Sequence, residues 1–259
     1  MTLYYSTGLR NFVAAYGPYK RALQGGKMCI YSGTVPASAD AALVAGYTLL
    51  STMTKASGAL TLEVCAAGSA TLAGVAGTVT SITVGAIEVL GATCTFVDTL
   101  TNLATAVAAQ INAYCPLTGA EYIATSSGAK VIITCLPGTG VVTGNVVTTG
   151  AGGITSTDVH VGTEVTGVAN VNGLTYGGAT SGVLAKGSDV WSGVNAATGT
   201  ASYFRLYGSV ADSLALSTTL IRIQGTCGTS GTDYIMSSTS LTAGYTHTVD
   251  GFTLTLPAS

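Results

Sequence analysis

The chain has 259 residues, of which only 20 are charged, and a formal net charge of -2. Charged residues make up 8% against about 25% in an ordinary domain, and its 35 glycines are about twice the usual share. An acidic disordered chain is excluded, since 47% of the residues are hydrophobic. A nucleic-acid binder working by general electrostatics is excluded too, because nine basic residues cannot neutralise a long run of phosphates.

The mean hydropathy of +0.53 would suit a membrane protein if the apolar residues were contiguous. They are not: even the most apolar stretch, Leu72 to Leu90, is broken by Gly and Thr and carries Glu88. A spanning helix needs about 20 mostly apolar residues, so none is expected. The aromatics do not recur as the girdles of a membrane barrel. Met1 to Tyr16 has no apolar run of the secretory kind, so synthesis and folding in a cytoplasm are expected.

Along the chain, Ser6 is an N-cap candidate followed by Leu9, Phe12, Val13 and Tyr16 at helical spacing, and Gly17-Pro18 ends that helix. Tyr19 to Gln24 can form a further short turn. Lys27 to Gly33 and Gly46 to Thr54 read as strands around a Val35 to Asp40 loop. From Gly58 the composition shifts to Ala, Val, Gly and Thr. Strands are expected over Ala59 to Cys65, Val79 to Val84, Ile87 to Leu90 and Cys94 to Val97. A helix is expected over about 99–114, with Asp98 or Thr99 as N-cap and Cys115-Pro116 as its stop. Tyr122 to Ser126 and Lys130 to Cys135 form a hairpin through Ser127-Gly128-Ala129, and Pro137 to Gly153 reads as loops with short strand pieces.

Beyond Asn170, strands are expected at Leu174 to Tyr176, Gly182 to Ala185, Val190 to Val194, Thr200 to Gly208, Leu220 to Cys227, Asp233 to Ser237 and Tyr245 to Leu256. Regular spacing with Gly, Ser, Asp and Asn between them is the pattern of an antiparallel sandwich. Tyr203, Arg205 and Tyr207 share one face of their strand, and Arg222 and Gln224 alternate with Ile221 and Ile223. Both arginines are expected on solvated or interface faces. The fold class is therefore mainly β: an antiparallel β-sandwich or jelly-roll-like domain with a short N-terminal helix, from 1–57 and 170–259. A small α+β module is inserted at 58–169.

Charge follows these boundaries. Residues 1–57 hold Arg10, Lys20, Arg21, Lys27 and Lys55 against Asp40, a net of +4, whereas 58–168 hold Lys130 against six acids, a net of -5. Two surfaces with different partners are one explanation; chance among few charges is the other.

No cofactor motif is present: no Gly-rich run continues as GxxxxGK[ST], and no GxSxG occurs. His160 and His247 are isolated, and none of the six cysteines forms a CxxC pair, so neither a metal nor a redox site is indicated. Glu63 and Glu88 are conceivable as a carboxylate pair of the glycosidase kind, but Trp191 is the only Trp to line a sugar cleft. Trp191 is expected as a core or interface anchor, and His247 as an outward strand residue. Cys65, Cys94, Cys115 and Cys135 cluster in the middle of the chain. They are either buried apolar thiols or groups that oxidise once outside the cytoplasm. The many small side chains suit repeated subunit packing better than a freely diffusing enzyme.

Three N-terminal segments, Ser6-Thr7-Gly8-Leu9-Arg10-Asn11, Arg21-Ala22-Leu23-Gln24-Gly25-Gly26 and Ile30 to Asp40, together with Gly199 to Gly208 and Ile221 to Gly231, resemble a family of tailed-bacteriophage virion structural proteins. The middle, Thr78 to Thr139, resembles a different phage module, a small β-α-β-β unit that recurs as an insertion in virion proteins. The resemblance implies a place in the phage particle and no catalytic residues. It also implies a role as capsid decoration (cement) subunit or as neck or tail component. In the decoration reading the chain is a homo-oligomer, a trimer, that binds the major capsid protein or neighbouring virion proteins through Arg10, Lys20, Arg21 and Lys27. A host-surface or glycan-binding adhesin is the rival of a different class, against which the single Trp speaks.

Overall fold

The computed structural model describes residues 3–255, so Leu256, the last residue of the expected C-terminal strand, lies outside the described residues. The fold is mainly β, with several antiparallel sheets and, among the described residues, three helices. The chain divides into two compact units: one from the segments up to Glu63 and from Asn170 onward, the other from Val64–Ala169. Residues 58–63, grouped with the inserted module by composition, belong to the first unit. The backbone explains this: Thr61 exchanges hydrogen bonds with Val171, and the Glu63 N–H donates to the Ser209 carbonyl. Ala59 to Cys65, expected as a strand, makes isolated bridges with separate partners instead.

In the first unit, α1 spans Thr7–Tyr16 and α2 spans Tyr19–Leu23. Ser6 caps α1 by accepting from the Leu9 N–H at 3.1 Å, and its hydroxyl also donates to the Leu220 carbonyl at 2.8 Å. Gly17, with φ of 116°, takes the chain out of the helix into Pro18. Gly26 then lets the chain cross beside the next strand: a Cβ there would sit 1.9 Å from the Tyr207 carbonyl oxygen.

The main sheet has the order Tyr4–Tyr5, Arg222–Gly228, Tyr203–Tyr207, Lys27–Ser32, Thr48–Lys55, Trp191–Val194, Thr246–Val249. Tyr234–Ile235 adds to it in parallel beside Arg222–Gly228. Register pairs Phe204 with Ile30 and Leu206 with Met28 and Ile223, which makes one face apolar. On that face Phe204 meets Phe252 edge-on at 5.7 Å, and Phe252 meets Trp191 at 5.8 Å. Phe252 leads into the Thr253–Thr255 strand of a second sheet, in which Tyr176–Thr180, Val183–Lys186 and Thr253–Thr255 are joined. Trp191, fully buried, is a core anchor.

The second unit contains two four-stranded sheets. One joins Val146–Ala151, Thr78–Val84, Ile87–Glu88 and Cys94–Thr95; the other runs Thr155–Val159, Ala67–Ala73, Lys130–Cys135, Tyr122–Ser127. Sequence reading misses Ala67–Ala73 because its residues are small and buried on both faces over the first four positions, which leaves no alternation to see. The hairpin turns at Gly128, with φ of 58°. Helix α3 spans Leu100–Thr118 with Thr99 as N-cap. It therefore runs past Cys115-Pro116, the expected stop. Pro116 lies in the last turn, where its missing N–H costs one intrahelical bond, and the fully buried Ile111 and Cys115 hold the turn down. Gly119, in the left-handed region with φ of 74°, is the actual terminator.

Candidate functional site

Arg10, Lys20, Arg21 and Lys27 occupy three settings. Arg10 is exposed on α1, and its Nη2 donates to the Thr7 hydroxyl at 3.0 Å. Lys20 is exposed at the start of α2, and Arg21 beside it is half-buried. Lys27 stands apart: it is half-buried in its strand, with Nζ 5.6 Å from the centre of the Tyr207 ring, a cation–π contact within the fold.

The junction of the two helices borders an apolar groove of about 240 Å³. Val13, Pro18 and Tyr19 form the helical wall, and Ala179, Leu184 and Leu254 of the three-stranded sheet form the other. Lys20 stands at its edge. Arg10 lies one turn before Val13 on α1 and is not one of the residues that line the groove. Of the expected contact cations, the structure thus brings Lys20 to the border of an apolar depression. Charge along the first 57 residues pointed to the cations; the wall from the far end of the chain carried no signal, since Ala179, Leu184 and Leu254 read as ordinary strand residues.

The expectation for Arg205 and Arg222 is overturned: both are fully buried. Tyr203, Arg205 and Tyr207 do share a face, but segments 33–47 and 208–221 cover it. Arg222 forms a bidentate pair with Asp212, Nε to Oδ2 at 2.6 Å and Nη2 to Oδ1 at 2.7 Å, and also donates to the carbonyls of Asp40 and Ala215. Arg205 donates Nε to Gln224 Oε1 at 2.8 Å and Nη2 to the carbonyls of Ser38 and Ala41. Gln224 in turn donates to the Pro36 carbonyl at 2.7 Å. Desolvation lowers the pKa of Arg205. Beside them Tyr31 and Tyr207 share a hydroxyl–hydroxyl bond of 2.8 Å, and burial pushes both phenols up. These groups fasten loops to a sheet.

Cys29, Cys94, Cys115 and Cys227 are free buried thiols, Cys135 is buried, and Cys65 is half-buried. Burial raises Cys29 and Cys94 and pushes Cys115 up to about 11, so these thiols stay protonated and act as small apolar groups. Glu63 and Glu88 belong to different units. Glu63 is buried and accepts from the Ser209 hydroxyl at 2.6 Å. Glu88 accepts from the Ser81 hydroxyl and from the backbone N–H groups of Ile82, Leu90 and Gly91. Burial pulls its carboxyl up, but these four donors prevail and hold it below the usual carboxylate range.

His247 is half-buried, with Nε2 2.9 Å from the Tyr234 hydroxyl, where an outward-pointing strand residue was expected. Desolvation lowers its pKa, which leaves the ring neutral at pH 7. Among the described residues no group of three or more His, Cys, Asp or Glu is placed to hold a metal ion. No helix among them is long and apolar enough to cross a membrane. Comparison with protein-family models, with curated proteins and with solved structures gives no match for this chain.

Proposed function

We propose that the protein is a structural subunit of a tailed-phage virion that decorates the capsid. As a homotrimer it binds the outer face of the shell formed by the major capsid protein and stabilises the head. One observation carries the docking site: the exposed cation Lys20 borders the apolar groove between α1, α2 and the Leu184 and Leu254 strands, with the exposed Arg10 on α1 one turn before the groove-lining Val13. A partner segment with an apolar side chain and a nearby carboxylate fits this surface. Many weak contacts of this kind, repeated over a lattice, favour the assembled state by mass action and avidity. The charge-poor surface accords with tiling: large apolar side chains such as Val75, Val97, Leu117 and Leu216 are more than 70% exposed, at 86%, 85%, 84% and 73%.

The test adds purified protein to undecorated heads and counts bound copies by mass spectrometry. Arg10→Glu with Lys20→Glu, two exposed changes, abolishes binding while circular dichroism stays unchanged. Full occupancy by the double variant overturns the docking site. A native count equal to one or a few symmetric rings, in place of lattice-wide occupancy, moves the protein to the neck or tail.

A further inference from the structure

At the edge strand of the main sheet lies a second depression, of about 380 Å³, separate from the groove. Its floor is Asn195, which is buried, and the half-buried His247; its walls include the exposed Ser240, Thr242 and Thr246. Tyr245 stands at the border, 71% exposed. No charged side chain lines it, and the His247 ring is neutral at pH 7.

The turn that carries Tyr245 is clamped from below. The Asn195 N–H donates to the Tyr245 carbonyl at 2.9 Å, its carbonyl accepts from the Gly244 N–H at 2.9 Å, and Nδ2 donates to the Thr242 carbonyl at 3.1 Å. Three bonds from one buried side chain and its backbone hold the backbone of the turn that carries Tyr245. Asn195 Oδ1 is left buried with no hydrogen-bond partner, an acceptor that lacks a donor. The hydroxyls of Ser240, Thr242 and Thr246 make no hydrogen bond within the described chain.

We propose that this depression is a binding site for a neutral saccharide, seated with one sugar face on Tyr245 and its hydroxyls on the Ser240, Thr242 and Thr246 hydroxyls. The chemistry is matched group by group. A sugar hydroxyl both donates and accepts, as do the Ser and Thr hydroxyls facing it. The C–H face of a pyranose is apolar and suits an exposed aromatic ring. An uncharged lining supplies no positive charge to balance a phosphate, sulfate or carboxylate. The volume falls in the range of small-ligand pockets, of about 300–1,000 Å³, and at its lower end suits one or two sugar rings. A preformed, clamped turn spares the ordering cost that weakens binding to mobile loops.

The proposal does not rest on capsid decoration, and its failure leaves that reading standing. The full-length protein is examined by saturation-transfer NMR with neutral disaccharides containing glucose, galactose, mannose or N-acetylglucosamine, and with a sialylated counterpart. At least one neutral disaccharide gives saturable transfer. Tyr245→Ala weakens it about fivefold to tenfold, and Thr246→Val, which removes one hydroxyl at constant shape, weakens it about threefold or more. Both positions are exposed, so melting temperatures stay within a degree or two of the parent. Head occupancy of Tyr245→Ala remains that of the parent. Absence of transfer from every neutral sugar at about 10 mM overturns the proposal. So does binding that neither substitution alters, or a preference for the sialylated ligand.

Discussion

The first unit buries Arg205, Arg222 and Gln224 completely, whereas the core of the second is Ala, Val, Ile, Leu and Cys, with Tyr122 its one buried aromatic ring among the described residues. The loops account for the difference. In the first unit the irregular segments 33–47 and 208–221 lie over one face of the sheet, and their carbonyls need donors that no strand supplies. A guanidinium carries five N–H groups in a rigid fork, enough to serve several carbonyls from one strand position. Ser38, Ala39, Asp40, Ala41 and Ala215 all receive such bonds. In the second unit the side chains that bond stray backbone groups, Glu88, Asn112 and Asp158, lie outside the apolar core, which small apolar side chains fill. Buried charge in this molecule is thus a loop fastener, and it occurs where regular structure is lacking.

The comparison breaks most visibly at Arg222. Arg222→Ala strands Asp212, whose side chain is 4% exposed, and leaves the Asp40 and Ala215 carbonyls without their donor. The expected loss is about 3–5 kcal/mol. Hydrogen exchange accelerates in Tyr203–Tyr207 and Arg222–Gly228 while α3 keeps its protection; equal acceleration in α3 would erase the distinction.

Capping serine and threonine give a smaller contrast. Ser6→Ala removes a buried hydroxyl bonded to Leu9, Leu220 and Arg222, and costs about 2 kcal/mol. Thr99→Ala removes an exposed cap of α3 with one bond, to Asn102, and costs about 1 kcal/mol or less. Urea midpoints at a common slope measure both.

The smallest effect concerns acid. The folded pKa of Glu88 lies below its unfolded value, so its contribution is fully present above the unfolded value of about 4.3 and is lost as pH falls through the folded pKa. Glu88→Gln therefore flattens the stability of the second unit below about pH 4.3, read from exchange in Thr78–Val84, and leaves the first unit's acid profile alone.

Much of the local architecture was legible. Ser6 followed by Leu9 and Phe12 marks α1, Thr99 marks the start of α3, and Ser127-Gly128-Ala129 marks the hairpin. Each of these signals spans a few neighbouring residues. The end of α3 was misread because Pro116 is unfavourable locally, yet burial of Ile111 and Cys115 outweighs the single lost bond. Of the candidate site, the cations Arg10 and Lys20 were visible as charge, and the groove that Lys20 borders was not.

From its residues alone the chain specifies its β class, its caps and its turns, because backbone sterics and short-range hydrogen bonds act within a turn or a hairpin. Tertiary structure alone decided that the Tyr203, Arg205 and Tyr207 face is interior. Alternation establishes which side chains share a face, but whether that face meets water depends on segments far away in sequence. The free energy of a guanidinium changes sign with what covers it: bare, it belongs to the surface, and roofed by unpaired carbonyls, it belongs to the core.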